Sequence, residues 1–73
     1  MNVIIIDSKG NKKIETVNPL GLIGDKKREL GVPNAIWKFD GQVLKNDKTF
    51  QFYEIQNGDN ITTNVKHQGG IND

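Results

Sequence analysis

The fold is decided near the middle of the chain, at Phe39-Asp40-Gly41-Gln42-Val43-Leu44. An Asp-Gly pair between apolar segments is a strong signal for the two-residue turn of a β-hairpin, because both residues tolerate the positive φ angles of that turn. Residues 35–39 alternate in polarity before the turn, as a strand does, and residues 42–44 continue on its other side. The stretch therefore predicts two antiparallel strands.

A second hairpin is predicted at the amino terminus. Residues 2–7 are rich in β-branched side chains, residues 8–11 carry the Gly and Asn of a tight turn, and residues 12–17 return. The return strand alternates imperfectly, which leaves its register open by one residue. We expect Ile14 to point into the protein and Val17 to lie near a bulge.

One helix is predicted between the hairpins. Asn18-Pro19 ends the first hairpin, because proline has no N–H to donate to a strand ladder. The helix is expected over residues 23–30, with Ile23 and Leu30 on its buried face and residues 26–29 mostly in solvent.

The last part of the chain predicts one more strand. Residues 50–55 have the aromatic spacing of a short helical turn or of a compact loop on a core, and residues 57–59 turn the chain again. Residues 60–66 then read as a strand and residues 67–73 as a flexible tail. The expected order of elements is β-β-α-β-β-β.

Length and composition limit the classes of protein. A chain of 73 residues holds one small core, which excludes most self-contained enzymes, and we assign residues 1–68 to one domain and 69–73 to its tail. Without cysteine there is neither a disulfide framework nor a thiolate metal site. A net charge of +1 gives no overall electrostatic attraction to nucleic acid, which we therefore do not expect as a partner. The longest apolar run near the amino terminus, residues 3–6, is too short for a membrane span, so we expect a soluble protein of the cytoplasm or nucleus.

The second half of the chain resembles ubiquitin and its relatives. From the Asp-Gly turn onward, the residues that fall at the family's spacing without a gap are Gly41, Leu44, Thr49, Tyr53, Ile55, Gln56, Gly69 and Gly70. The resemblance covers about two-thirds of the chain, because the segment between Val17 and Gly41 is shorter than in ubiquitin.

The resemblance implies an α+β fold of the β-grasp type, in which a mixed sheet of four to five strands wraps around one helix. The first and last strands would then lie parallel at the centre of the sheet. In this placement the core consists of Val3, Ile5, Ile14, Ile23, Leu30, Trp37, Leu44, Phe50, Tyr53, Ile55 and Ile61.

The resemblance also implies a function for the tail. In ubiquitin-like modifiers a terminal Gly-Gly carboxylate is activated and joined to a lysine amine, and glycines can thread a narrow tunnel because they lack Cβ atoms. Here Gly69 and Gly70 would form the conjugating tail, preceded by the basic Lys66, after a protease removes residues 71–73. The expected partners are activating and conjugating enzymes and a processing protease, and no cofactor is expected.

Two alternatives stay open. The glycines can be an ordinary linker, in which case the domain is an interaction module or a subunit of a larger complex, monomeric on its own. More remotely, the same carboxylate can carry sulfur as a thiocarboxylate. Catalysis by the chain itself is not expected, because the single His67 has no nucleophilic cysteine beside it.

A partner-binding face is predicted on the sheet. The positions that match the apolar recognition patch of ubiquitin are Lys38, Thr62 and Asn64, all polar, so ordinary ubiquitin receptors should bind poorly. If Val3 and Ile5 point inward, Ile4 and Ile6 point outward, and Ile36 can join them in an apolar strip. The possible acceptor lysines for chain formation are Lys9, Lys12, Lys13, Lys26, Lys27, Lys45 and Lys48.

Overall fold

The computed structural model describes residues 1–65 of the chain. They form five β-strands, one α-helix and one 3₁₀ helix, in the order that the sequence predicts. The elements are β1 (Asn2–Ile6), β2 (Lys12–Thr16), α1 (Ile23–Glu29), β3 (Ala35–Phe39), β4 (Gln42–Val43), the 3₁₀ helix (Gln51–Tyr53) and β5 (Asn60–Val65).

The five strands make one mixed sheet in the order β2-β1-β5-β3-β4. β1 and β5 are parallel neighbours, whereas β1 with β2, β3 with β5 and β3 with β4 are antiparallel. The expected α+β class, with one helix and four to five strands in a mixed sheet, is confirmed at this level.

The Asp-Gly turn lies where the sequence predicts it. Asp40 and Gly41 have φ angles of 54° and 79°, and the residues on either side, Phe39 and Gln42, are paired across β3 and β4. Two consecutive positive φ angles give the turn a twist that matches the right-handed twist of the flanking strands. Glycine suits the second position because it has no Cβ atom to disfavour a positive φ angle.

The first hairpin corrects the expected orientation of Ile14. Ile14 pairs with Ile4 across β1 and β2, so both side chains project from the outward face of the sheet, and Ile14 is 69% exposed. Val17 follows β2 and is buried. The prediction that Ile14 belongs to the core was wrong, because the register places Glu15 rather than Ile14 opposite Val3.

β2 is an edge strand, and charged residues occupy its inward positions. The Glu15 carboxylate lies 3.8 Å from the Lys26 ammonium of α1 and 3.4 Å from that of Lys13. Only 14% of the Glu15 side chain is exposed, so these ion pairs replace the apolar contact that a core residue would make. The alternation of hydrophobic residues is therefore lost on this strand.

The core is formed where the sheet, the helix and the loop before β5 meet. Trp37 and Phe50 are its largest side chains, with ring centroids 6.5 Å apart. Most of the expected core residues are buried, whereas Ile5, Leu30 and Tyr53 are partly buried against the core. The buried hydrophobic residues are Val3, Val17, Ile23, Ala35, Trp37, Leu44, Phe50, Ile55 and Ile61.

The helix is held close to the loop that follows β4. The backbone N–H of Ile23 donates to the carbonyl of Lys48, and that of Gly24 donates to the carbonyl of Asn46 at 3.0 Å. A Cβ on Gly24 would lie 2.8 Å from the Cβ of Asn46, closer than two carbon atoms can approach. Gly24 is therefore required by packing, although glycine weakens a helix.

We predict that Ile61 and Ile14 contribute very differently to stability, because Ile61 is buried and Ile14 is exposed. Ile61→Ala should lower the free energy of unfolding by about 2–5 kcal/mol, because it opens a cavity in the core. Ile14→Ala should cost about 1 kcal/mol or less, the range of strand propensity at an exposed site. Urea titration followed by Trp37 fluorescence measures both values. Equal costs for the two substitutions would contradict the register described above.

We predict that Gly24→Ala destabilises the protein. Alanine normally stabilises a helix relative to glycine by about 0.5–1 kcal/mol. Here the new methyl group meets Asn46, and overpacking of this kind costs about 1–3 kcal/mol. Arg28→Ala, on the exposed side of the same helix, is the control and should change stability by about 0.5 kcal/mol or less. A gain in the melting temperature of the Gly24→Ala chain would refute the close approach.

Candidate recognition surface

The outward face of the sheet is built on the alternation of β1. Val3 is buried and Ile5 packs against the core, whereas Ile4 and Ile6 project to the other side and are half-buried. β1 is paired with β2 on one edge and with β5 on the other, and paired residues of neighbouring strands lie on the same face of the sheet. The partners of Ile4 and Ile6 are therefore outward as well.

One row of outward side chains crosses the whole sheet. Ile6 pairs with Lys12 on β2 and with Thr62 on β5, Thr62 pairs with Lys38 on β3, and Lys38 pairs with Val43 on β4. Within this row Thr62 and Lys38 are exposed, as is 52% of Val43. From one edge of the sheet to the other, the row therefore consists of a basic, an aliphatic, a hydroxyl, a basic and an aliphatic side chain.

Further outward side chains flank this row. Towards one end of the strands, Ile4 lies between Ile14 on β2 and Asn60 on β5. Towards the other end, Ile36 on β3 pairs with Asn64 on β5. Ile6 and Ile36 are thus on the same face but do not form one strip, because the polar side chains of β5 stand between them.

The residues predicted for the recognition face lie on one side of the sheet. Ile6, Ile36, Lys38, Thr62 and Asn64 are all outward, the two isoleucines half-buried and the other three exposed. The predicted tail residues, Lys66, Gly69 and Gly70, lie outside the described residues.

Sequence reasoning missed Ile14 and Val43 as members of this face. The turn of the first hairpin determines which face Ile14 lies on, because it sets the register of β2 against β1. The backbone N–H of Asp7 donates to the carbonyl of Asn11 at 2.9 Å, which closes the loop and pairs Ile6 with Lys12. Counting two residues outward from that pair gives Ile4 opposite Ile14.

The Asp7 carboxylate stabilises this turn. It accepts hydrogen bonds from the backbone N–H groups of Asn11 and Lys9, both at 2.9 Å. These bonds, that from Asn11 above all, hold the pKa of Asp7 below its ordinary value of 3.8. The negative charge of the Asp7 carboxylate is therefore stabilised, and it lies at the end of the hairpin and not on the outward face of the sheet.

Lys27 is the one buried charged residue among those described, and it corrects the expectation that the helix lysines are mostly solvated. Only 3% of Lys27 is exposed. Its ammonium donates to Oδ1 of Asn46 at 2.8 Å and lies 5.8 Å from the centre of the Trp37 ring. Burial lowers the pKa of Lys27 from its ordinary value of 10.5. Its amine is therefore not available as an acceptor in the folded protein.

The described residues show neither a metal site nor a membrane span. Over residues 1–65 no group of three or more His, Cys, Asp or Glu side chains is placed to hold a metal ion. In the same part of the chain, no helix has the length and hydropathy that a bilayer crossing needs. The chemical groups that the outward face offers are ammonium, hydroxyl, amide and aliphatic side chains.

No protein-family model matches the chain, and a search of curated proteins finds no match either.

We predict that Lys27 makes stability depend on pH. The unfolded chain binds the Lys27 proton more tightly than the folded chain does, because the pKa is lowered in the folded state. The free energy of unfolding therefore gains a contribution as the pH rises from the lowered pKa towards 10.5. Lys27→Met removes this contribution, so the wild-type chain should gain stability relative to it as the solution is made alkaline.

Urea unfolding of both chains between neutral pH and the ordinary pKa of lysine measures the difference. Lys45→Met removes the same charge from an exposed side chain and controls for the change in net charge. If the stability of the wild-type chain relative to Lys27→Met does not rise with pH, the pKa of Lys27 is not lowered in the folded state and the prediction is wrong.

Proposed function

We propose that this chain is a ubiquitin-like protein of β-grasp topology, which acts by being attached to other proteins and recognised on them. The observation that carries the proposal is the parallel pairing of β1 with β5 inside a mixed sheet that also covers one helix. The family resemblance implies this pairing, and it joins residues almost sixty positions apart in sequence, such as Ile5 and Ile61.

The position of β5 supports a conjugating tail. β5 lies between β1 and β3: its first residues, 60–62, pair with β1, and its carboxyl end, residues 62–65, pairs with β3. The Gly69-Gly70 pair follows in sequence shortly after Val65. A diglycine that follows the last strand of the sheet suits attachment, because an enzyme can bind the domain while the glycines enter a narrow site.

The outward face supports selective recognition. A receptor that covers an aliphatic patch would have to remove the Lys38 ammonium from water, and burying a charge without a partner is costly. Thr62 and Asn64 add a hydroxyl and an amide that also need partners. We therefore propose that the readers of this protein differ from receptors of ubiquitin itself.

The proposal predicts that the carboxyl end is processed after Gly70. A chain with a tag at each end, expressed in its own cells, should lose the carboxyl-terminal tag together with residues 71–73. It should also appear in conjugates of higher mass, and these should disappear in the Gly70→Ala chain, because a methyl group at that position blocks the narrow site. Intact-mass measurement and detection of the amino-terminal tag give both results.

The other outcomes separate the alternatives. Retention of the carboxyl-terminal tag, with no conjugates that depend on Gly70, would overturn conjugation and favour an interaction module within a larger complex. A processed chain whose mass shows one oxygen replaced by sulfur would favour a sulfur carrier. The Gly69→Ala chain is the matched comparison, since it changes the other glycine of the pair.

A further inference from the structure

The loop before β5 carries the one Asn-Gly pair of the chain, Asn57-Gly58. The side-chain amide of an asparagine is open to attack by the backbone nitrogen of the next residue, and a following glycine puts no side chain in the way. Asparagine is for this reason one of the heat-labile residues of proteins. Both residues of the pair are exposed, so water reaches them and burial gives them no protection.

Two hydrogen bonds to Asn2 hold both reacting groups of the pair. The backbone N–H of Asn2 donates to Oδ1 of Asn57, and the N–H of Gly58 donates to the carbonyl of Asn2, both at 2.7 Å. We call these two bonds the Asn2 clamp. The N–H and the carbonyl of Asn2 point away from β2, because the neighbouring residues Met1 and Val17 exchange the hydrogen bonds between β1 and β2.

The Asn2 clamp lies at the beginning of the contact between β1 and β5. The next bond joins the N–H of Ile4 to the carbonyl of Asp59 at 2.9 Å, and Ile4 is paired with Asn60. The side chain of Asn57 thus takes the place that a strand backbone would take beside Asn2. The clamp therefore opens when the start of β1 separates from the loop.

The clamp opposes attack on the amide in two ways. The nitrogen of Gly58 must lose its proton before it attacks, and in the folded chain that proton is held by the carbonyl of Asn2, which is not a base. The amide of Asn57 must rotate to bring its Cγ onto this nitrogen, whereas the bond to Oδ1 fixes its orientation. Folding should therefore slow the reaction although the pair is exposed.

We propose that Asn57 is a modification site, at which water replaces the side-chain amide when the Asn2 clamp opens. The nitrogen of Gly58 bonds to Cγ of Asn57, and the side-chain NH2 group leaves as ammonia with the proton that Gly58 gives up. Water then opens the five-membered imide, its hydroxyl adding to one of the two carbonyl carbons and its proton going to the nitrogen. Cleavage at Cγ leaves aspartate, and cleavage at the main-chain carbonyl of residue 57 leaves isoaspartate.

The two products differ in their effect on the clamp. Aspartate keeps an oxygen acceptor at the position of Oδ1, so the N–H of Asn2 keeps its partner. Isoaspartate adds one methylene group to the main chain between Cα of residue 57 and the nitrogen of Gly58, and its free carboxylate is attached to that Cα. The two bonds then no longer fit one residue of β1. The isoaspartate chain is therefore loosened at the start of the contact between β1 and β5.

A comparison of the folded and the unfolded chain tests the proposal. The purified full chain is kept at neutral pH with and without guanidinium chloride, and trypsin then releases residues 49–66, which contain Asn57. In denaturant this peptide should gain the mass of OH in place of NH2 and separate into aspartate and isoaspartate forms on reversed-phase chromatography. In the folded chain the conversion should be slower by about tenfold or more, because only a small fraction of molecules is open.

The matched control for this comparison is Asn57→Gln. Glutamine keeps the amide but has one more methylene group, so the five-membered imide cannot form. The peptide of the Asn57→Gln chain should not convert in either condition over the same time. Conversion of this control at the wild-type rate would place the reaction at another residue of the peptide and would overturn the assignment to Asn57.

Two substitutions at Asn2 test the clamp itself. Asn2→Pro removes the N–H that holds Oδ1 of Asn57, whereas Asn2→Ala keeps this N–H and loses only the bond that the side chain accepts from Thr16. Without denaturant, Asn2→Pro should convert about fivefold faster than Asn2→Ala, the value of one hydrogen bond. An Asn2→Pro chain that fails to fold should convert at the rate of the denatured wild-type chain, which the proposal also requires.

Three further results would overturn the proposal. The first is a peptide that stays unchanged in denaturant. The second is conversion at least as fast in the folded chain as in denaturant, which would mean that the N–H of Asn2 activates the amide instead of holding it. The third is equal conversion of folded Asn2→Pro and Asn2→Ala. The purified isoaspartate chain should also unfold at a lower guanidinium concentration than Asn57→Asp, and equal midpoints would contradict the loosening of β1.

Discussion

The pairing of β1 on both of its edges is the constraint on which the rest of the structure depends. Val3, Ile4, Ile5 and Ile6 are all β-branched and aliphatic, so hydrophobicity alone gives no reason for one register over the next. The ends of the strand supply that reason. At one end Met1 and Val17 exchange backbone hydrogen bonds, and at the other the Asp7 turn closes the hairpin. Once these ends are fixed, each side chain of β1 has only one possible face.

The sequence predicted best where local chemistry decides the backbone. The Asp40-Gly41 turn requires positive φ angles, and few other residue pairs supply them, so the hairpin could be placed to the residue. The order of strands and helix followed from similar local signals. The orientation of β2 could not be predicted in the same way, because its inward positions are satisfied by ion pairs between Glu15, Lys13 and Lys26 and not by burial of apolar groups.

Lys27 is a second residue whose surroundings the sequence could not predict in full. In sequence it belongs to a run of charged residues, but it lies four residues after Ile23 and three before Leu30, so helical spacing puts it on their buried face. Its burial depends on an amide supplied by Asn46, nineteen residues away, and on the ring of Trp37. A buried ammonium needs partners of this kind. Since they come from another part of the chain, only the tertiary structure reveals how a lysine can be tolerated at this position of the buried face.

The recognition surface combines what the sequence can and cannot predict. Before the strands were paired, alternation along β1 predicted that Ile6 is outward, with Ile36 beside it, and the resemblance to ubiquitin supplied Lys38, Thr62 and Asn64. Which of them are neighbours depends on two registers, that of β5 with β1 and that of β5 with β3. The first of these closes a loop that contains most of the chain, and local sequence signals do not report it.

The pairing of the strands also gives the surface its charge. Among residues 1–65 it leaves Lys12 and Lys38 of the outward row without a carboxylate partner, whereas Lys13, Lys26 and Arg28 pair with carboxylates. A net charge close to zero therefore says little about what this protein binds, since opposite charges that neutralise one another on one side leave the other side basic.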